Sequence, residues 1–259
     1  MIPKIIHYCW FGGNPLPQFA QKCINSWQKY CPDYEIVRWD ESNFDISSAP
    51  LYVRQAADAG KWAFVSDYAR LMIVYQHGGI YLDTDVEVLK NLDPLLSHPA
   101  YFGREDDIYV NTGLGFGAEK GTQILKELAE DYLNIPFILK DGSCDMLACP
   151  LRNQHVLERY GLQTGDKKQI LSDGSVVYPI EYFNPKNPRT ALIHVTANTY
   201  SIHDYSATWY DNKALKKRAV FRFKNRLRYY KRFPFRIARK VLGPDLYERI
   251  RDKITKKHS

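Results

Sequence analysis

No stretch of eighteen apolar residues occurs in this 259-residue chain, which excludes a helix spanning a membrane. The opening MIPKIIHYCWF holds an apolar run too short for the core of a secretory leader, and no small-residue cleavage site follows it. Cysteine is sparse: Cys9, Cys23, Cys31, Cys144 and Cys149 are odd in number and never spaced C-x-x-C. That argues against a disulfide framework and a structural zinc site, and for a reduced, cytoplasmic protein. Internal repeats and low-complexity linkers are missing too. The length suits one large α/β domain with its own core, plus an appendage.

Acidic residues are scarce at the carboxyl end. From Lys213 to Ser259 there are 18 Lys and Arg against three acids, a net of +15. The whole chain carries +7, which leaves −8 for residues 1–212. An acidic body, 1–212, is therefore expected to precede a basic tail, 213–259. Val220, Phe221, Phe223, Leu227, Tyr229, Tyr230, Phe233, Phe235 and Ile237 interleave with the basic residues, the pattern of basic amphipathic helices broken near Pro234 and Gly243-Pro244. Such helices suit an anionic membrane surface, rings inward and Lys and Arg over the headgroups. The same pattern also serves a solvated extension packed on the domain, or a nucleic-acid-binding arm. With no nucleic-acid-binding motif in the chain, the membrane surface is the expected partner.

What is present is concentrated in Lys61 to Asp85, KWAFVSDYARLMIVYQHGGIYLDTD. Residues 62–77 predict a helix with a nearly continuous apolar face, ended by Gly78-Gly79. A short apolar strand then delivers Asp83 and Asp85, one residue apart. Two carboxylates at a strand end suit a hard divalent cation, Mg²⁺ or Mn²⁺, whose other positions go to water and phosphate oxygens. Asp at a strand end is also ordinary turn chemistry. Asp67 and Arg70, three apart in the helix, share a face: they form an intrahelical ion pair, or a charged patch that bonds sugar hydroxyls.

The segment SDYARLMIVYQHGGIYLDTDV resembles the core motif of the DxD glycosyltransferases grouped as family 32, which includes fungal initiating mannosyltransferases and bacterial capsule and lipopolysaccharide transferases. More distantly it is similar to the glucosylating domains of large clostridial toxins. IPKIIHYCWFGG (2–13), DYEIVRWD (33–40) and HDYSATW (203–209) resemble further family segments in the same order. The resemblance implies a glycosyltransferase-A fold, a Rossmann-like, mixed and mainly parallel sheet flanked by helices. Alternating elements agree: strands at 3–10, 34–39, 79–82, 86–89, 100–104, 110–118, 176–178 and 191–196, and helices at 18–30, 51–59, 62–77, 121–134, 152–160 and most of 213–257. Ser172-Asp173-Gly174-Ser175 reads as a hairpin turn.

The resemblance also implies roles. Asp85 binds the cation directly, while Asp83 reaches it through water or holds the ribose. His203 completes the shell, or is a loop histidine satisfied by a carbonyl. Trp10 stacks on the nucleotide base or fills the core; His7, by contrast, reads as structural from its apolar strand alone. Asn111, in the glycine-rich VNTGLGFGA, contacts the donor sugar or makes a turn. Ser206 or Thr208 bonds the diphosphate, and the Trp209 indole donates to the leaving oxygen. The expected activity is metal-dependent, retaining transfer of a hexose or N-acetylhexosamine from a nucleotide sugar to a saccharide, lipid-linked in bacterial capsule, O-antigen or lipopolysaccharide synthesis. The expected location is the inner face of the plasma membrane. A metal-dependent phosphohydrolase or nucleotidyltransferase would also use paired acids, and a basic adaptor would use the tail alone.

Overall fold

The computed structural model describes residues 1–187, 189–205 and 212–231, together with 237, 241–243, 246 and 248. Two compact units emerge: the first holds Met1–Lys186 and the segment from His194, the second Asn187–Ile193 and the carboxyl-terminal segment.

Within the first unit the chain runs β1 (Ile5–Cys9), α1 (Gln18–Tyr30), β2 (Glu35–Trp39), α2 (Leu51–Asp58), α3 (Trp62–His77), β3 (Gly79–Tyr81) and β4 (Val86–Val88). It continues through β5 (Ala100–Gly103), β6 (Phe116–Ala118), α4 (Gln123–Glu130), α5 (Cys149–Arg159), β7 (Gln169–Ile170), β8 (Val176–Tyr178), α6 (Ile180–Phe183) and β9 (Ser201–His203). Seven strands form one mixed sheet in the order β2-β1-β3-β6-β5-β8-β7. Parallel pairs are β1 with β2 and β3, and β5 with β8. Antiparallel pairs are β6 with β3 and β5, and β7 with β8.

Alternation along the strands divides the core between the two sheet faces. Tyr81, Phe102 and Phe116 join residues of α2 to α5 in one cluster. Ile6, Ile80 and Tyr101 join Cys23, Ile24 and Trp27 of α1 in the other. Burial on this scale, at about 25 cal/mol per Å² of apolar surface, dominates the stabilisation of the layered fold.

The step from α3 into β3 needs glycine. Gly78, at φ +70°, caps the helix by donating its N–H to the Val74 carbonyl at 2.8 Å. Gly79 sits at φ +100°, and a Cβ there would lie 2.8 Å from the Ile5 carbonyl oxygen and 3.1 Å from His7 Nε2. Only a residue without a side chain lets β3 lie this close to β1. His7 closes the contact, its Nε2 2.9 Å from the Gly78 carbonyl while Nδ1 accepts from the Trp39 indole at 3.1 Å.

Two expected strands differ. Residues 110–118 form a strand only at 116–118, because the Asn111 side chain accepts the Gly113 N–H at 2.6 Å and turns the chain. Residues 191–196 are not a strand. Their pairing stops at a single bridge at Ile193, with the His194 N–H on the Pro185 carbonyl at 3.0 Å, whereas Ser201–His203 pairs antiparallel with β4 in a separate two-stranded ribbon. His203 is thus itself in a strand. The hairpin at 172–175 joins β7 to β8, with Leu171 N–H on the Ser175 carbonyl at 2.8 Å.

In the second unit, α7 (Asn212–Lys231) carries the first part of the basic tail. Arg226 Nε donates to the Thr190 carbonyl at 3.1 Å. Phe221, Phe223 and Tyr230 are more than half exposed, at 53%, 64% and 56%. Among the described residues no helix is long and apolar enough to cross a membrane.

Candidate active site

Tyr81 and Asp83 are two residues apart in extended chain, so their side chains leave on the same side. The Tyr81 hydroxyl donates to Asp83 Oδ1 at 2.9 Å. Leu82 N–H continues the pairing with β1 by donating to the His7 carbonyl at 3.0 Å. Val86 N–H then closes a tight turn on the Asp83 carbonyl, also at 3.0 Å. This turn holds Asp83-Thr84-Asp85 at the carboxyl end of β3, and the Trp27 indole anchors its exit by donating to the Val86 carbonyl at 2.7 Å.

Arg70 reaches the turn from α3. Buried at 4% exposure, its Nη2 lies 2.8 Å from Asp67 Oδ1 and 3.4 Å from Asp83 Oδ1. Its Nε donates to the Ser66 carbonyl at 3.1 Å, and its guanidinium lies 5.1 Å from the centre of the Tyr81 ring. The intrahelical pair is therefore real and extends onto the acidic motif. Burial pushes the Asp67 and Asp83 carboxyls above their ordinary range, against the pull of Arg70. Removing one member of such a buried pair costs about 3–5 kcal/mol.

The β4–β9 ribbon brings His203 opposite Val86, one residue beyond Asp85. His203 Nε2 lies 3.1 Å from Asp85 Oδ1. Burial disfavours the imidazolium, but Asp85, Asp83 and Glu105 outweigh it and raise the histidine's pKa. Asp204 N–H donates to the Asp85 carbonyl at 2.9 Å, and Lys186 pairs with the Asp204 carboxylate. One donor atom each from Asp83, Asp85 and His203 lies within 4.8 Å of the others. Two carboxylates and an imidazole make a donor set that fits a divalent cation of the Mn²⁺ or Mg²⁺ kind.

Asn111, 8% exposed, holds a further carboxylate, that of Glu105. Its Nδ2 donates to Glu105 Oε2 at 2.9 Å, while its Oδ1 takes the Gly113 N–H. A Cβ on Gly113 would lie 2.5 Å from Asp83 Oδ2 and 3.0 Å from Asn111 Oδ1, so this glycine makes room for both. Cys149, first residue of α5, contacts three of the group: Arg70 Nη1 at 3.8 Å, Thr112 Oγ1 at 3.7 Å and Asn111 Oδ1 at 3.6 Å. Burial pushes its thiol far up, so it packs as a neutral group. Trp10 stands at the carboxyl end of β1, half-buried, its indole N–H on the Asn14 carbonyl at 2.6 Å.

The fold thus brings Asp67, Arg70, Asp83, Asp85, Asn111 and His203 together from α3, the β3–β4 turn, the β5–β6 loop and β9. Ser206, Thr208 and Trp209 lie outside the described residues. Sequence reasoning missed Glu105, Gly113, Cys149 and Tyr81. Tyr81 had a local signal in its two-residue spacing from Asp83, and Gly113 in its place within the glycine-rich VNTGLGFGA.

Residues 17–102 match a family model described as a glycosyltransferase sugar-binding region containing a DXD motif. That span includes Asp67, Arg70, Asp83 and Asp85, and ends before Glu105, Asn111 and His203. Over 143 residues the chain is 35% identical to inositol phosphoceramide mannosyltransferase 3 of Schizosaccharomyces pombe, covering 52% of this chain and 38% of that protein. It is 29% identical over 110 residues to inositol phosphoceramide mannosyltransferase 1 of the same yeast, covering 39% and 33%. The chain therefore spans well under half the length of these relatives. Among solved structures, PaToxG glycosyltransferase aligns with a TM-score of 0.47 at 18% identity, over 61% of this chain and 68% of that one.

Proposed function

We propose that this chain, whose residues 17–102 match the model of glycosyltransferase sugar-binding regions containing a DXD motif, is a cation-dependent glycosyltransferase using a nucleotide-sugar donor. The convergence of Asp83, Asp85 and His203 on one point carries the reading. These three residues would hold Mn²⁺ or Mg²⁺. When bound, the cation supplies positive charge for the diphosphate leaving group. Arg70, shared between Asp67 and Asp83, keeps both carboxylates in fixed positions, and preorganised charge of this kind needs no rearrangement during reaction. Asp67, Arg70 and Asn111 face the donor sugar in this reading, and Trp10 the base. Ser206 or Thr208, together with Trp209, keeps the diphosphate role that the family resemblance gives.

Retention of configuration follows by a front-face route, in which the departing phosphate takes the acceptor's proton. The transferred group is a hexose or N-acetylhexosamine. The acceptor is a saccharide or polyol carried by a lipid, a reading supported by the names of the yeast relatives and by α7. Bacterial capsule, O-antigen or lipopolysaccharide synthesis is one setting that supplies such an acceptor, at the cytoplasmic face of the plasma membrane. Exposed Phe221, Phe223 and Tyr230 among Lys and Arg suit an anionic interface. Replacing Phe221 and Phe223 by Ser is expected to weaken co-sedimentation with phosphatidylserine vesicles; unchanged binding removes α7 from this role.

A thermal-shift panel of UDP- and GDP-sugars, with Mn²⁺ and with chelator, tests the core of the reading. A donor is expected to stabilise the wild type only with metal, and to leave Asp85→Ala unshifted. A shift that survives both chelator and the mutation rejects it.

A further inference from the structure

Glu105 lies at the carboxyl end of β5, where an open α/β sheet presents its ligands. Both polar groups of its backbone are held. The N–H donates to the Tyr109 carbonyl at 2.8 Å, and the carbonyl accepts Asn184 Nδ2 at 2.8 Å. Asp106 Oδ1 tightens the following turn, taking the N–H groups of Ile108 at 2.9 Å and Tyr109 at 2.7 Å. The side chain is held as firmly at one oxygen, by Asn111, while Oε1 has no partner among the described residues.

Position and charge set this acid apart from its neighbours. Asn111 spans from Glu105 to the point beside Gly113 that Asp83 also borders, so Glu105 flanks the acidic motif. Its charge also reaches His203. Asp67 and Asp83 are both committed to Arg70, whereas no Lys or Arg pairs with Glu105 among the described residues. A carboxylate without a Lys or Arg partner repels a diphosphate and accepts hydrogen bonds from hydroxyls. Its free oxygen suits the neutral, polyhydroxylated partner in a transfer reaction better than the anionic one.

We infer that Glu105, steadied by Asn111, binds the acceptor, its Oε1 taking a hydrogen bond from the hydroxyl next to the attacking one on a sugar or polyol. This rests on the glycosyltransferase reading above. In the reaction the bond from the anomeric carbon to the phosphate oxygen breaks with its electron pair, and the bond to the acceptor oxygen forms. The acceptor's proton passes to the departing diphosphate. Glu105 begins and ends ionised, and a water molecule in the acceptor's place, having no neighbouring hydroxyl, forgoes this contact.

Glu105→Gln tests this, because glutamine keeps an oxygen for Asn111 and puts a donating NH2 in place of the charged, accepting Oε1. The measurement is nucleoside-diphosphate release with Mn²⁺ from UDP-glucose and GDP-mannose, in water, with methyl mannoside or myo-inositol, and with phosphatidylinositol vesicles. Donor KM and the metal-dependent thermal shift are expected to stay within about twofold, while kcat falls about tenfold or more, the worth of a hydrogen bond to a charged group. Glu105→Asp is expected to recover part of the loss. The soluble and vesicle arms separate a free from a lipid-borne acceptor, and the fall should appear in whichever of these two the wild type supports. An unchanged kcat there overturns the assignment. So does a donor KM that rises in step with lost thermal shift, which would move Glu105 to the donor pocket. A glycosyl adduct on Glu105, detected by intact mass, would make it a nucleophile instead. If the wild type neither binds nor turns over a donor, the glycosyltransferase reading itself fails, and this inference with it.

Discussion

Two histidines, each on a strand and each almost completely buried, lie in opposite electrostatic surroundings. His7 on β1 is 2% exposed and His203 on β9 is 4% exposed. Around His7 both ring nitrogens are engaged by neutral groups, the Gly78 carbonyl and the Trp39 indole. Burial there pulls its pKa down to about 4. Around His203 the neighbours are acids, and Asp85, Asp83 and Glu105 raise the pKa despite equal burial. Its Nδ1 has no partner among the described residues. Burial alone therefore does not tell a structural histidine from a ligand. The difference lies in whether neutral groups complete its bonding or carboxylates face it.

The sharpest way to break this comparison is to remove the carboxylate that distinguishes the second site. Asp85→Ala is expected to lower glycosyl transfer by at least about a hundredfold, since cation stabilisation of a leaving group is worth several kcal/mol and each 1.36 kcal/mol is tenfold. Asp85 is partly exposed and lies in a turn, so the fold should survive. Steady-state rates and circular dichroism on the same preparation check both halves. Near-normal turnover would return His203 to the class of His7.

Next in size is the pH dependence of stability from His7. Its pKa falls from 6.5 when unfolded to about 4 when folded, so between those values the unfolded chain binds the extra proton. Stability from this residue is complete above pH 6.5 and is lost as pH falls toward 4, by about 3 kcal/mol in all. Asp67, Asp83 and Glu105 have raised pKa values and act in the opposite sense as pH falls. The test is therefore the difference between wild type and His7→Gln. Urea unfolding at pH 7 and pH 4.5 is expected to show the smaller acid loss in the variant. Equal losses would mean that His7 is not held neutral by the fold.

His203→Gln sharpens the other side. One neutral ligand of three is lost while the charge of Asp83 and Asp85 remains, so Mn²⁺ affinity is expected to fall about 10–100-fold, the range seen when groups supporting a metal site are changed. Titration calorimetry with Mn²⁺ reads this without a substrate. Unchanged affinity would leave the two carboxylates as the whole cation site.

How much of this contrast could be read from sequence follows from how local each signal is. Helix, glycine stop, strand and acidic pair are contiguous, and their geometry follows from spacing within one short segment. His7 reads as structural because it sits in an apolar strand. His203 joins the acids only through the β4–β9 ribbon, and it was the resemblance of residues 203–209 that singled it out. The alternation in 191–196 pointed to the wrong strand because pairing, more than propensity, decides which short segment extends. Glu105 and Cys149 had no such signal, and Gly113 had only its place in a glycine-rich stretch. Their roles come from loops and a helix start that meet Asp83 and Asn111 only in the folded chain.

The smallest expected effect tests whether neutral bonding keeps His7 structural. In Trp39→Phe the indole N–H leaves His7 Nδ1 without its donor, while the Gly78 carbonyl still takes the other nitrogen. One neutral hydrogen bond is worth about 1 kcal/mol, and the smaller ring adds a packing loss of similar size. Stability at pH 7 should fall by about 1–2 kcal/mol, with Mn²⁺ affinity unchanged, because none of the three candidate ligands touches Trp39. The pH dependence gives the sharper reading. An Nδ1 without a donor takes a proton more readily, so the acid loss of stability should shrink toward that of His7→Gln. If it stays at the wild-type value, burial alone holds His7 neutral, and its pairing with Trp39 is incidental.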